Sequence, residues 1–161
     1  MERLRRVLPA LRTYQRHLAD PSPVRYASRM STHTNTDTHT VANRLYELCS
    51  AGKYQEAMQE LYADDATQIE AMEMPGSPYG RVVSGKDVLL EMGEEWMKDA
   101  EIHDAHCGKP LINGDQFVCE MSLDVTHASG PMAGQRMKMS EICLYTVRDG
   151  KIAEAKFFYS V

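Results

Sequence analysis

Two turn dipeptides, Asn113-Gly114 and Asp149-Gly150, lie between segments whose apolar residues alternate with period two, and this pattern restricts the fold more than any other feature. Asn-Gly and Asp-Gly tolerate positive φ and so favour tight hairpins. They predict strands over roughly 101–112, 116–127, 135–147 and 151–160, with Ser129-Gly130-Pro131 as the third break. Upstream the period is helical. Val41, Leu45, Leu48 and Cys49 share one face before Gly52, and Tyr54, Ala57, Met58, Leu61 and Tyr62 form a second stripe, which predicts two short helices packed as a hairpin. A period-two stretch through Gln68, Glu70, Met72 and Met74 then ends at Pro75-Gly76-Ser77-Pro78. Val88, Leu89, Met92, Trp96 and Met97 predict a third helix over 86–98 after the loop residue Gly85. Helices followed by an antiparallel meander make an α+β layout, in which the sheet must curl around the helices to bury both.

At 161 residues and 43% hydrophobic, the chain suits one core. Residues 1–30 hold seven arginines against Glu2 and Asp20, so the remainder carries more than the whole net charge of -5. So acidic a body lacks the basic stripe that supplies most nucleic-acid affinity, and no run reaches the length of a membrane span. Neither nucleic acid nor membrane is an expected partner. Arg3, Arg5, Arg6, Arg12, Arg16, Arg25 and Arg29, with leucines at near-helical spacing, read as a mitochondrial-type leader or, alternatively, as an over-extended start before Met30 in a cytoplasmic bacterial protein. Residues 1–40 are thus expected to be a disordered leader ending in a flexible linker from Ser31 to Thr40, with the folded domain over 41–161.

Cys49, Cys107, Cys119 and Cys143 form no C-x-x-C pair, which suggests reduced core thiols rather than a zinc site or a disulfide framework. His103 and His106, three apart on a strand, point to opposite faces, so a metal site there is geometrically poor. No metal and no cofactor is expected: Gly-rich phosphate loops, G-x-S-x-G and H-E-x-x-H are all absent.

The run YADDATQIE at 62–70, the Gly85-Lys86 helix start and LYTVRDGKIAEAKFFY at 144–159 resemble the SnoaL-like, nuclear-transport-factor-2-like superfamily over about residues 41–161. The resemblance implies three N-terminal helices in a strongly curved, mostly antiparallel sheet, the cystatin-like α+β cone. It also implies a homodimer formed through the sheet. Ketosteroid isomerase has a similar YADDAT segment with its carboxylate base just after it, which corresponds to Glu70. Its oxyanion-stabilising tyrosine corresponds to Tyr46, and its protonated aspartate falls near Ser140, so that third position is unmatched.

Glu70, beside Gln68 and Met72 on one face, is therefore the first candidate for proton transfer. Glu141 is the second, because alternation sets it with Met137, Met139, Cys143 and Tyr145. Tyr46 and His106 are candidate oxyanion groups. Met72, Trp96, Tyr145, Phe157 and Tyr159 would line a pocket for a small apolar molecule, and His127 reads as a surface residue. Two functions fit: a cofactor-independent isomerase, dehydratase or cyclase, or a non-catalytic ligand-binding or dimerisation module with a filled pocket.

Overall fold

The computed structural model describes residues 32–73, 77–130 and 132–159. The readings on the arginine-rich leader and on Met74, Pro75 and Gly76 lie outside the described residues. Among the described residues three helices, α1 (Thr32–Ser50), α2 (Tyr54–Leu61) and α3 (Lys86–Met97), accompany seven strands. These are β1 (Tyr62–Ile69), β2 (Val82–Ser84), β3 (Ala100–Cys107), β4 (Leu111–Asn113), β5 (Gln116–His127), β6 (Arg136–Arg148) and β7 (Lys151–Phe158). No described helix is long and apolar enough to cross a membrane.

Helix α1 starts well before the predicted boundary. The Thr/His run expected to be a linker is helical from Thr32, and Thr38 is fully buried next to Val41 and Ala42. Local polarity suggested disorder, but burial of Thr38 one turn before Val41 and Ala42 extends the packed side of the helix into that run. The helix ends where predicted: Gly52 takes φ 73°, its N–H donates to the Cys49 carbonyl, and the Lys53 N–H donates to that of Leu48. These two bonds form a Schellman cap, which needs the left-handed conformation that glycine adopts without steric cost.

The strands form one sheet in the order β2-β1-β7-β6-β5-β3, with β4 on β5. Every pair is antiparallel except β1 with β7. The sheet is mixed and open, with β2 and β3 as its edges, in accord with the expected α+β class. The β6–β7 hairpin closes on Asp149-Gly150, both at positive φ, with Arg148 paired to Lys151. The β4–β5 turn sits one residue later than expected, since Asn113 pairs with Gln116 and the loop is Gly114-Asp115. Residues 101–112 are two strands rather than one, and β2 had no visible signal in its three residues. Strand β1 begins at Tyr62 and ends at Ile69, which leaves Glu70 and Met72 just beyond it.

Helix α1 packs on β3, β5 and β6, while α3 packs on β1 and β2, so the helices cover one face of the sheet. Phe117, Val125, Ile152, Leu89 and Cys143 are fully buried in that layer. Phe117 stacks on Tyr145 with ring centroids 4.8 Å apart, which fills one end of the interior with aromatic volume. Gly93 lets α2 and α3 approach closely, because a Cβ there would lie 2.7 Å from both Gln55 Nε2 and Met58 Cε.

Candidate functional site

Strand β6 alternates as the sequence predicted. Cys143, Tyr145 and Val147 are buried and Met137, Met139 and Glu141 are half-buried on the inner face, while Ile142 is exposed on the outer one. The register carries this face onto β5, where Met121 opposes Glu141, Leu123 opposes Met139 and Val125 opposes Met137. Going from Tyr145 toward Met137, the interior changes from closed aromatic packing to a half-exposed methionine-rich surface. Glu141 stands at that transition.

Strands β1 and β7 run parallel and finish at the same end of the sheet, with Ile69 opposite Lys156. Glu70 and Tyr159 immediately follow those strands, and Ile142 pairs with Phe158, so one further step sets Tyr159 beside Glu141. Glu70, Tyr159 and Glu141 thus form a row across three adjacent strands. The Tyr159 hydroxyl donates to Glu70 Oε2 at 3.1 Å, and Gln68 Nε2 donates to Glu70 Oε1 at 2.7 Å. Gln68 is itself only 7% exposed, so this donor is held in place by packing.

Burial pushes the Glu141 carboxyl above its ordinary range, and the nearby Glu70 charge adds to this. A contact from the Cys143 thiol to Glu141 Oε1, at 3.5 Å, opposes it. Two carboxyl groups in one row therefore meet different surroundings: Glu70 has a donor on each oxygen, while Glu141 is desolvated. The Tyr159 phenol is pushed up to about 12, first by burial and then by the Glu70 charge, so it remains a donor at neutral pH. Tyr62, fully enclosed at the start of β1, is also raised, chiefly by burial. An open depression of about 350 Å³ is bordered by Ser140, Glu141, Ile142, Phe158 and Tyr159.

The other sequence candidates fall elsewhere. Tyr46 is half-buried against the core on α1, and no hydrogen bond among the described residues joins it to either glutamate. His106 is exposed, next to buried Cys107 and hence on the outer side of β3, because alternation turns it away from the interior. Met72 is 36% exposed beyond the end of β1. Trp96 packs edge-on against His127 with centroids 4.8 Å apart, at the far end of α3. His127, expected at the surface, is instead half-buried, with Nδ1 3.6 Å from Asp99 Oδ1. Tyr145 and Phe157 make an edge-to-face pair beneath the row and serve the core first. Among the described residues no group of three or more His, Cys, Asp or Glu side chains is arranged to hold a metal ion.

Sequence reasoning named Glu70, Glu141 and Tyr159 but not the bond between Glu70 and Tyr159, nor the parts played by Gln68 and Cys143. The Gln68 contact was legible from two-residue spacing on one face. The Tyr159 contact joins residues 89 positions apart through the parallel β1–β7 pairing, which leaves no local signal.

The family model for the SnoaL-like domain matches residues 36–159. The chain belongs to the SnoaL-like family. A crystal structure from Mesorhizobium loti, named a "putative SnoaL-like polyketide cyclase" with "carbohydrate phosphatase" in brackets, is 36% identical, with a TM-score of 0.67. That similarity covers 75% of this chain and 97% of the other. A "putative isomerase" from Bacillus subtilis, at 14% identity and TM-score 0.59, covers 79% of this SnoaL-like chain and 88% of its own. A Jannaschia structure named a "putative SnoaL-like polyketide cyclase", at 16% identity and TM-score 0.58, covers 78% and 86%. These two share the fold. No curated protein matches.

Proposed function

We propose that this SnoaL-like protein is a cofactor-independent enzyme of the isomerase, dehydratase or cyclase type, acting on a small apolar carbonyl compound. The observation that carries the reading is the row of Glu70, Tyr159 and Glu141, with two carboxyl groups in unlike surroundings beside a methionine-rich surface. A desolvated carboxyl next to one held by two hydrogen-bond donors can divide acid and base roles with it. Glu70 removes a proton from the carbon next to the substrate carbonyl, and the C–H electron pair moves to form an enolate. Glu141, in its neutral form, donates a hydrogen bond to the developing enolate oxygen. Return of the proton to a different carbon completes an isomerisation, whereas attack of the enolate carbon on a second carbonyl closes a ring. Glu141 lies one residue from Ser140, where the ketosteroid isomerase comparison had expected an acid, and alternation turns Glu141 rather than Ser140 inward. The name of the Mesorhizobium relative is in keeping with a polyketide-like substrate.

A non-catalytic role has one observation in its favour: Phe117, Tyr145 and Ile152 fill the closed end of the interior, so the ligand surface is shallow. Under either reading the partner is a second copy of the chain. The support is the outward pair Ile142 and Phe158, directly opposite in register and 46% and 53% exposed.

The test is a thermal-shift screen of the full chain against apolar carbonyl compounds, steroids and polyketide-like rings, followed by turnover assays of any hit with Glu70→Gln and Glu141→Gln. Ligand binding raises apparent stability by mass action. Turnover lost in Glu70→Gln supports the enzyme reading. Binding without turnover in the unsubstituted protein supports the non-catalytic one.

A further inference from the structure

Four cysteines that are far apart in sequence converge in the core. Cys49 on α1, Cys107 at the end of β3, Cys119 on β5 and Cys143 on β6 are all buried and all free. Cys143, Cys119 and Cys107 sit on the neighbouring strands β6, β5 and β3, Cys49 sits on the helix that packs on β3, and all four belong to one buried cluster, so they line up through the interior. The line does not stop in apolar packing. Its last member, Cys143, donates to Glu141 Oε1, and Glu141 borders the open depression.

The sheet register singles out one pair. Cys119 and Cys143 are directly opposite on antiparallel strands, and both face inward. Directly opposed residues have Cα atoms about 4.5–5.5 Å apart, inside the roughly 4.4–6.8 Å range that a disulfide spans. Cys107 opposes Met121 and is therefore only diagonal to Cys119, and diagonal neighbours lie about 7–8 Å apart. The register thus sets Cys119 and Cys143 within the Cα span of a disulfide and Cys107 and Cys119 outside it.

We propose that Cys119 and Cys143 are a redox-active pair that closes to a cross-strand disulfide on reaction with a small hydroperoxide. The Cys143 sulphur attacks the outer peroxide oxygen and the O–O bond breaks. Its proton passes by way of Glu141 Oε1 to the departing alkoxide or hydroxide, which leaves as an alcohol or water. The resulting sulfenic acid is attacked at sulphur by the Cys119 thiol, the S–O bond breaks, and water leaves with the Cys119 proton. Two thiols lose two electrons in all, and the peroxide is reduced. Oxidation also withdraws the S–H donor from Glu141, which links the thiol state to the proposed site. The pairing itself is independent of that reading.

A buried thiol with no reactive surroundings is inert, so the experiment separates a reactive pair from core filling. The reduced full chain, folded, is exposed to hydrogen peroxide, quenched, then denatured and alkylated. The expected result is a fall from four alkylatable thiols to two, a mass loss of two hydrogen atoms, reversal by dithiothreitol, and a peptide map that joins Cys119 to Cys143. Cys119→Ser and Cys143→Ser each abolish the bridge and Cys49→Ser retains it. Four alkylatable thiols after oxidation, or a bridge formed by any other pair, overturns the proposal. The peptide map of the unsubstituted protein decides the matter even if a serine variant fails to fold. Because the readout counts thiols and not turnover, a failure here leaves the enzyme reading standing, and the reverse also holds.

Discussion

The Tyr159 hydroxyl donates to Glu70 Oε2 over 3.1 Å and so ties the residue after β7 to the residue after β1. These two strands are the parallel pair of an otherwise antiparallel sheet, and their shared end is where the glutamate row forms. Tyr159→Phe keeps the ring and removes the donor. A typical hydrogen bond contributes about 1 kcal/mol net and one to a charged group about 1.5–3 kcal/mol. Tyr159 is half-buried, so urea denaturation at neutral pH should show a loss near the lower figure. In a turnover assay with an identified substrate, the same variant should lose rate, because Glu70 keeps the Gln68 donor and loses that of Tyr159. An unchanged rate would exclude Tyr159 from the proposed chemistry.

Glu141 predicts a pH dependence whose sign is fixed. Its folded-state carboxyl is raised above the ordinary 4.5, chiefly by burial. The folded state therefore holds a proton that the unfolded state has already released. The stability associated with the neutral form is complete below that ordinary value and is lost as the pH rises through the raised one. Glu141→Gln cannot ionise. Across urea titrations from acid to neutral pH, the variant should gain on the unsubstituted protein as pH rises and then run level with it. Parallel curves throughout would show that Glu141 is not desolvated.

Most of the fold was legible because its signals are local. Asp149-Gly150 and Gly52 fix φ, and β6 carries its facing in simple alternation, so the inward direction of Glu141 could be read from Met137, Met139, Cys143 and Tyr145. The site was less legible because its contacts are not local. The parallel register of β1 and β7 alone brings Tyr159 to Glu70, and the outward turn of His106 depends on Cys107 being the buried neighbour. The Tyr46 assignment came from an ungapped family comparison, which carries positions but not side-chain directions.

The start of α1 is the clearest case of packing overriding composition, and it can be measured. A chain that begins at Val41 removes the predicted linker, which in the structure includes the fully buried Thr38 and the first turns of α1. If the segment were a linker, the truncated protein would melt with one that begins at Met30. The structure instead requires the shorter chain to melt lower. Each 1 kcal/mol lost corresponds to roughly 4–8 °C in a domain of 60–100 residues and roughly 2–4 °C in one of 150–250, so a shift of a few degrees in a calorimetric scan is the expected result.

The outward pair on β6 and β7 gives the last prediction. Ile142 and Phe158 oppose each other in register and are about half exposed, an arrangement that suits burial against a second sheet. In a two-fold symmetric interface the same patch meets itself, so a charge introduced on one protomer also faces or flanks its copy. Ile142→Lys should therefore convert the proposed dimer to monomer in sedimentation at micromolar concentration. Its effect on protomer stability should be small, since Ile142 contributes little to the inner core. A monomeric unsubstituted protein would remove the dimer altogether. A dimer that persists in Ile142→Lys would move the interface away from this face.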